Sequence, residues 1–250
     1  KNPDGDTCGS ASGLCYALRL CGKTAYVLEN STNTPRLLPY TEPFKPTSGF
    51  SPEFIVTVDI ADTSLFTKEA ELFSDTVDLC IDHHVSNKLY AKNTLLDHTA
   101  AACAEIIYNV ILALGTKITQ EIAFYLYTGI STDTGCFKYS NTTPQTHRIA
   151  ADLISLGIDF SSINNLFFEI QSRERFAIES MLLSSIEYLY DGKVAIGFVT
   201  KKMIADSGAD PDDAGGLSSL LRRIQGVDIG VTITEKEEGE WKFSMRTSEN

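Results

Sequence analysis

Two short apolar runs, Phe54-Ile55-Val56-Thr57-Val58 and Val77-Asp78-Leu79-Cys80-Ile81, each lead directly into an aspartate, Asp59 and Asp82. No other feature of the chain constrains its fold as much. Short runs rich in β-branched residues read as buried strands, and around them the apolar spacing changes to that of helices. Alternation of the two patterns is the signature of crossover units, which predicts an α/β fold with a largely parallel sheet flanked by helices. In open sheets of this kind ligands bind outside the carboxyl ends of the strands. Both aspartates stand there.

The helical patterns fill the intervals. Residues 9–20 read as a helix stopped by Gly22, followed by a strand over 24–28 and a loop-dominated connection over 31–52, rich in Thr, Pro and Ser. Further helices are expected over 99–114 with Thr99 as cap, over 118–130, and over 143–156, entered through Pro144 and ended by Gly157. Residues 1–171 thus read as one α/β domain, and 172–190 as a long connecting helix. Residues 191–250 are expected to form a smaller, incomplete α/β lobe. Its expected parts are strand 194–199, a Gly/Asp/Pro-rich loop at 207–216, helix 217–224, and strands 227–234 and 241–246 around the turn Glu238-Gly239.

A net charge of −12 argues against a broad basic surface for long nucleic acid, so a phosphate ligand has to be met locally by metal or a few basic groups. The six cysteines show neither a CxxC pair nor the dense spacing of a disulfide scaffold and read as reduced thiols of a cytoplasmic protein. No apolar stretch reaches the ~20 residues of a membrane span.

Four carboxylate sites recur at element ends: Asn2-Pro3-Asp4-Gly5-Asp6, Val58-Asp59, Asp82-His83-His84 and Thr132-Asp133. Each has an ordinary alternative. Pro3-Asp4-Gly5 also describes a surface turn or a calcium loop, Asp59 and Asp133 also suit helix caps, and His83 or His84 also suits a satisfied core position. Together they supply the oxygen and nitrogen donors that a pair of divalent cations takes. Adjacent histidines on an extended segment face opposite ways, so one is expected to bind metal and the other substrate. The N–H groups at Gly9-Ser10, read as a helix start, could receive an anion. His98 and His147 stand at helix starts and read as caps or surface residues.

In that order and spacing the four segments resemble the motifs of the DHH phosphoesterase family, and the segment Gly226 to Thr247, ending Phe243-Ser244-Met245-Arg246-Thr247, resembles the start of its C-terminal DHHA1 substrate domain. Size and the connecting helix are most similar to the nanoRNase and 3′-phosphoadenosine-5′-phosphate phosphatase branch. The resemblance implies that Asp4 and Asp133 hold one Mn²⁺, Asp6 and His83 the other, and that Asp59 bridges both. Mn²⁺ is preferred, with Mg²⁺ as the alternative. It further implies that His84 contacts the scissile phosphate and Asp82 supports the imidazoles; the expected substrate contacts are Ser10, at the expected helix start, and Arg246, by its planar fork. The family's leading metal-binding histidine would stand upstream of Lys1 and its GGGH segment beyond Asn250. The expected activity is two-metal hydrolysis of short oligoribonucleotides or a bisphosphorylated adenosine, in a chain that could form a homodimer. Cyclic-dinucleotide phosphodiesterase, RecJ-like exonuclease, inorganic pyrophosphatase and a non-catalytic nucleotide-binding module are the alternatives.

Overall fold

Asp4 opens the first helix. Its carboxylate accepts hydrogen bonds from the Asp6 and Thr7 backbone N–H groups and caps α1, Gly5–Leu20. The helix therefore begins four residues before the expected start at Gly9. The computed structural model describes residues 2–209, 216–237 and 239–247. These divide into two compact units, Lys1–Glu169 and Ile170–Asn250.

In the first unit, α1 is followed by α2 (Leu38–Thr41), β1 (Val56–Val58), α3 (Lys68–Glu71), β2 (Leu79–Asp82) and β3 (Asn93–Leu96). The helices α4 (Cys103–Ala113), α5 (Gln120–Asp133), α6 (Pro144–Ser155) and α7 (Phe160–Asn164) complete it. The three strands form a parallel sheet in the order β1-β2-β3, with Val58 beside Ile81 and Ile81 beside Leu95. The α/β architecture with a helix-flanked parallel sheet is therefore as expected. Residues 24–28 form no strand: Val27 N–H donates to the Phe44 carbonyl at 2.8 Å, a single bond in place of a ladder. β3 was not foreseen, because Leu95 is exposed and Leu96 only half-buried, so the segment lacks a buried apolar run.

The core of this unit is built from Ile81, Ile107, Ile111, Ile122, Leu126, Ile130 and Leu153, all essentially inaccessible. Helices α1 and α5 approach unusually closely because Gly5, Gly9 and Gly13 line one face of α1 at four-residue spacing. A Cβ on Gly9 would lie 2.4 Å from the Tyr125 carbonyl oxygen, and one on Gly5 2.4 Å from Thr132 Oγ1. The helices run antiparallel, so the first turn of α1 meets the last turn of α5. That contact brings the Asp4-Gly5-Asp6 segment to Asp133.

In the second unit, α8 (Arg173–Ser184) precedes β4 (Glu187–Leu189), β5 (Val194–Val199), α9 (Lys201–Ser207), α10 (Leu217–Arg222), β6 (Ile229–Glu235) and β7 (Trp241–Thr247). The sheet order is β4-β5-β6-β7, parallel only between β5 and β6. The helix expected over 172–190 ends at Ser184, since Glu187–Leu189 pair with β5. Its Ile178 and Leu182 are buried with Ala195, Val199, Leu217 and Leu221 in this unit's own core. Most of the expected 207–216 loop, residues 210–215, and the turn residue Glu238 lie outside the described residues. Among the described residues no helix is long and apolar enough to cross a membrane.

Candidate metal centre

Asp59 leaves the end of β1 in a left-handed conformation, φ 58°, that a non-glycine residue rarely adopts. Its N–H still bonds the Ile81 carbonyl at 2.9 Å, so the turn is pinned to β2. The Thr7 hydroxyl lies 2.7 Å from Asp59 Oδ2 and 3.1 Å from Asp4 Oδ1, tying the two motif carboxylates together. Asp59 Oδ1 is buried without a hydrogen-bond partner. A buried carboxylate oxygen left bare is costly unless something cationic meets it.

His83 supplies the nitrogen donor. Its Nδ1 lies 3.1 Å from the Ala100 carbonyl, an acceptor that keeps a proton on Nδ1 and turns Nε2 inward. Nε2 stands 3.4 Å from Asp133 Oδ2, 3.5 Å from Asp59 Oδ1 and 3.9 Å from Asp6 Oδ2. Two donor groups result, Asp6-His83-Asp133 and Asp59-His83-His84, each with its ligand atoms within 4.8 Å of one another. Oxygen and imidazole donors in this number, with one bare carboxylate oxygen among them, fit divalent cations.

Asp6 is wholly buried on the first turn of α1. Its Oδ2 accepts the Cys103 N–H at 2.6 Å, and its Oδ1 accepts the Ala104 N–H and the Ser10 hydroxyl, both at 3.0 Å. Residue Ala102 caps α4 without any side-chain bond, and Thr99 stands outside the helix. The free N–H groups of α4 are satisfied instead by a carboxylate nearly a hundred residues earlier, which also suits the positive end of the helix dipole. Gly129 of α5 makes room: a Cβ there would lie 2.6 Å from Asp6 Oδ1.

The charges are unbalanced in the protein alone. Burial pushes the Asp6 carboxyl well above its ordinary range, and Asp59, Asp133 and Asp4 add to the rise against His83. Burial likewise raises Asp133, opposed by His83 and reinforced by Asp4 and Asp59, to about 6. Burial alone would depress His83, but Asp59, Asp6, the Ala100 carbonyl and Asp133 together push it up to about 10. Divalent cations would relieve this crowding by replacing the held protons.

Asp82 is buried behind the two histidines. Its Oδ1 accepts from His83 N–H at 2.8 Å, His84 N–H at 3.3 Å and His84 Nδ1 at 2.7 Å. Burial opposes ionisation, but these bonds and one from Asn87 hold its carboxyl below the usual range. The His84 side chain is 44% exposed, so its ring can reach a bound ligand while Nδ1 stays on Asp82. Its pKa is raised, first by the Asp82 bond, against burial, with Asp59 adding.

Ser10 and Asp133 are placed by their helices. Ser10 is fully buried, its hydroxyl donates to Asp6, and its N–H lies inside α1 instead of at a helix start. Asp133 is the last residue of α5 and groups with Asp6 and His83, since the α1–α5 contact carries it to the Asp6 turn. Thr7, Asn87 and Gly129 were missed. Only the Gly5-Gly9-Gly13 spacing offered a signal for the helix contact behind them. His98 is exposed, and the exposed His147 stacks on Phe137 at 5.3 Å. Arg246 lies on β7 opposite Gly230 and donates Nη1 to the Met245 carbonyl at 2.9 Å.

The profile of the DHH family, N-terminal domain, matches residues 1–130. The chain is 31% identical over 248 residues to the bifunctional oligoribonuclease and PAP phosphatase NrnA of Thermus thermophilus, covering 98% of this chain and 74% of that protein. It is 24% identical over 254 residues to the protein of the same description from Bacillus subtilis, covering 94% of this chain and 76% of that one. Among solved structures, an exopolyphosphatase-related protein from Bacteroides fragilis matches with a TM-score of 0.88 at 22% identity, over 99% of this chain and 77% of that one. At that identity the likeness concerns the fold.

Proposed function

The chain belongs to the DHH family, and from that premise we propose that it is a metal-dependent phosphoesterase acting on short oligoribonucleotides and on 3′-phosphoadenosine-5′-phosphate. The observation that carries this reading is the bare, buried Asp59 Oδ1 set 3.5 Å from His83 Nε2, with Asp6 and Asp133 around the same imidazole. We assign one ion to Asp6, His83, Asp133 and Asp59, and a second to Asp59 and Asp4. Mn²⁺ is preferred over Mg²⁺ because an imidazole is among the donors. When bound, such ions supply an activated water and neutralise phosphate oxygens.

The protein's own part is preorganisation. The Ala100 carbonyl sets the His83 tautomer, the α4 N–H groups hold Asp6, and Thr7 holds Asp59 so that Oδ1 faces inward. The Asp82 bond fixes His84 with its outer nitrogen toward the solvent side. An imidazole inclined to stay protonated beside an anionic phosphate stabilises charge there and can deliver a proton to a leaving oxygen. Arg246 is assigned to a substrate phosphate, which its planar fork suits. The domain roles follow: residues 1–171 carry the metal chemistry and 191–250 the substrate contacts. Six unpaired cysteines and an acidic balance agree with a cytoplasmic enzyme of small substrates. A homodimer is compatible with the family.

The test is a substrate panel with Mn²⁺: a dinucleotide, 3′-phosphoadenosine-5′-phosphate, cyclic di-AMP and pyrophosphate. Release of mononucleotide or phosphate from the first two, abolished by chelation, is expected. Faster cleavage of cyclic di-AMP or pyrophosphate would move the protein to another branch, and ligand binding without turnover on any of them would make it a binding module.

A further inference from the structure

Asn87 lies five residues beyond Asp82, outside the four motifs. Its Nδ2 donates to Asp82 Oδ2 at 2.6 Å, the one bond to that oxygen among the described residues, while Oδ1 of Asp82 takes all three donors from His83 and His84. The other face of the Asn87 amide is committed too. Its Oδ1 accepts the Leu89 N–H at 2.7 Å, and its own N–H bonds the His84 carbonyl at 3.1 Å. A flipped amide would set oxygen against the Asp82 carboxylate and NH₂ against an N–H, so the orientation is fixed by its partners. Nδ2 also stands 3.5 Å from the Ile60 carbonyl, in the residue after Asp59, where the Tyr90 hydroxyl donates at 3.0 Å.

From this geometry we infer that Asn87 is a positioning residue for His84, acting through Asp82. Asp82 is fully buried with Asn87 in place, so Oδ2 depends on that amide for its hydrogen bond. A buried carboxylate with one bare oxygen turns toward whatever donor it can find, and the donors it holds now are the two histidine N–H groups and the His84 ring. Asn87 keeps Oδ1 aimed at His84 Nδ1. It thereby keeps the proton on Nδ1 and presents Nε2 to the substrate, in the way a buried carboxylate orients an imidazole in other hydrolytic sites.

The inference rests on the phosphoesterase reading, and the experiment separates the two. Asn87→Ala and Asn87→Leu remove the donor, the second while keeping volume, and thermal melting identifies which is folded. With Mn²⁺ and the dinucleotide, kcat is expected to fall about 10- to 100-fold with KM changed by less than about 3-fold, the usual size for partners behind a ligand shell. In a His84→Ala background the same substitutions should cost less than about 2-fold, since what Asn87 acts through is gone. The ¹⁵N shifts of the His84 ring in the Mg²⁺-loaded protein should change from a fixed Nδ1–H tautomer to a mixture. Equal losses with and without His84, wild-type kcat in a folded variant, or an unchanged His84 ring would overturn the assignment. Should the wild-type protein turn over none of the phosphoesters, the proposed function fails while the ring tautomer still decides the role of Asn87.

Discussion

Asp59 combines a left-handed backbone, a hydroxyl-anchored Oδ2 and a buried Oδ1 without a hydrogen-bond partner, and the last of these fits a cation placed at Oδ1. Asp59→Asn keeps the shape but removes the charge. It should lower Mn²⁺ affinity and activity by at least about 100-fold, beyond the usual effect of a supporting residue, measured by calorimetry and turnover. The pH dependence of ion binding follows from the same groups. His83 and Asp133 have raised values in the ion-free fold, about 10 and about 6. A raised value stabilises the ion-free fold at low pH. The His83 contribution is present below its unfolded value and lost as pH rises through about 10, and that of Asp133 is lost by about 6. Ions must displace the same protons, so apparent affinity should rise with pH up to about 10 and drop most steeply below about 6. Calorimetry in buffers of different ionisation enthalpy should show proton release at pH 7.5, and none would contradict the assigned charge state.

At the scale of elements, Asp6 ties the chemistry to the packing of helices. It is at once a donor toward His83 and the acceptor for the first N–H groups of α4. Asp6→Ala leaves two buried N–H groups bare and should destabilise the ion-free protein by roughly 1–3 kcal/mol, seen in denaturant unfolding without metal. Gly129→Ala puts a methyl group against Asp6 Oδ1 and Ala104 Cβ and should cost about 1–3 kcal/mol, with a loss of ion affinity alongside. The strands β1 and β2, the helices α5 and α6 and the positions of Asp59 and Asp82 were legible in the sequence, because an apolar run ending in a polar residue is a local pattern. The start of α4 was not. Thr99 is a good cap by residue type, but the cap is Asp6, and nothing local in residues 99–104 records that. The strand expected over 24–28 failed for a related reason: β propensity is realised only where a neighbouring strand offers a ladder.

For the whole molecule, folding and ion binding are one equilibrium, since the donors come from α1, β1, β2 and α5 and meet only in the folded first unit. Mn²⁺ should raise the melting temperature and a chelator should lower it, with the increment growing with free ion concentration. A melting temperature indifferent to Mn²⁺ would remove the basis of the metal assignment. In the second unit, Arg246→Ala should raise KM about 10-fold or more, the weight of a charge-assisted bidentate contact, while Mn²⁺ affinity stays within about 2-fold. Equal losses of both would place Arg246 elsewhere in the mechanism.

The sequence by itself determined the kinds of donor and their places at element ends, because strand and helix periods and the types of residue that follow them are written within windows of ten or so positions. Only the tertiary structure decided which donors stand together, that Ser10 bonds Asp6, and that Asn87 stands behind Asp82 and His84. Those relations depend on distances across the fold: the closeness of α1 and α5 allowed by glycines, and a carboxylate that caps a helix 97 residues further along. Coordination and capping are satisfied in space, and separation along the chain does not encode it.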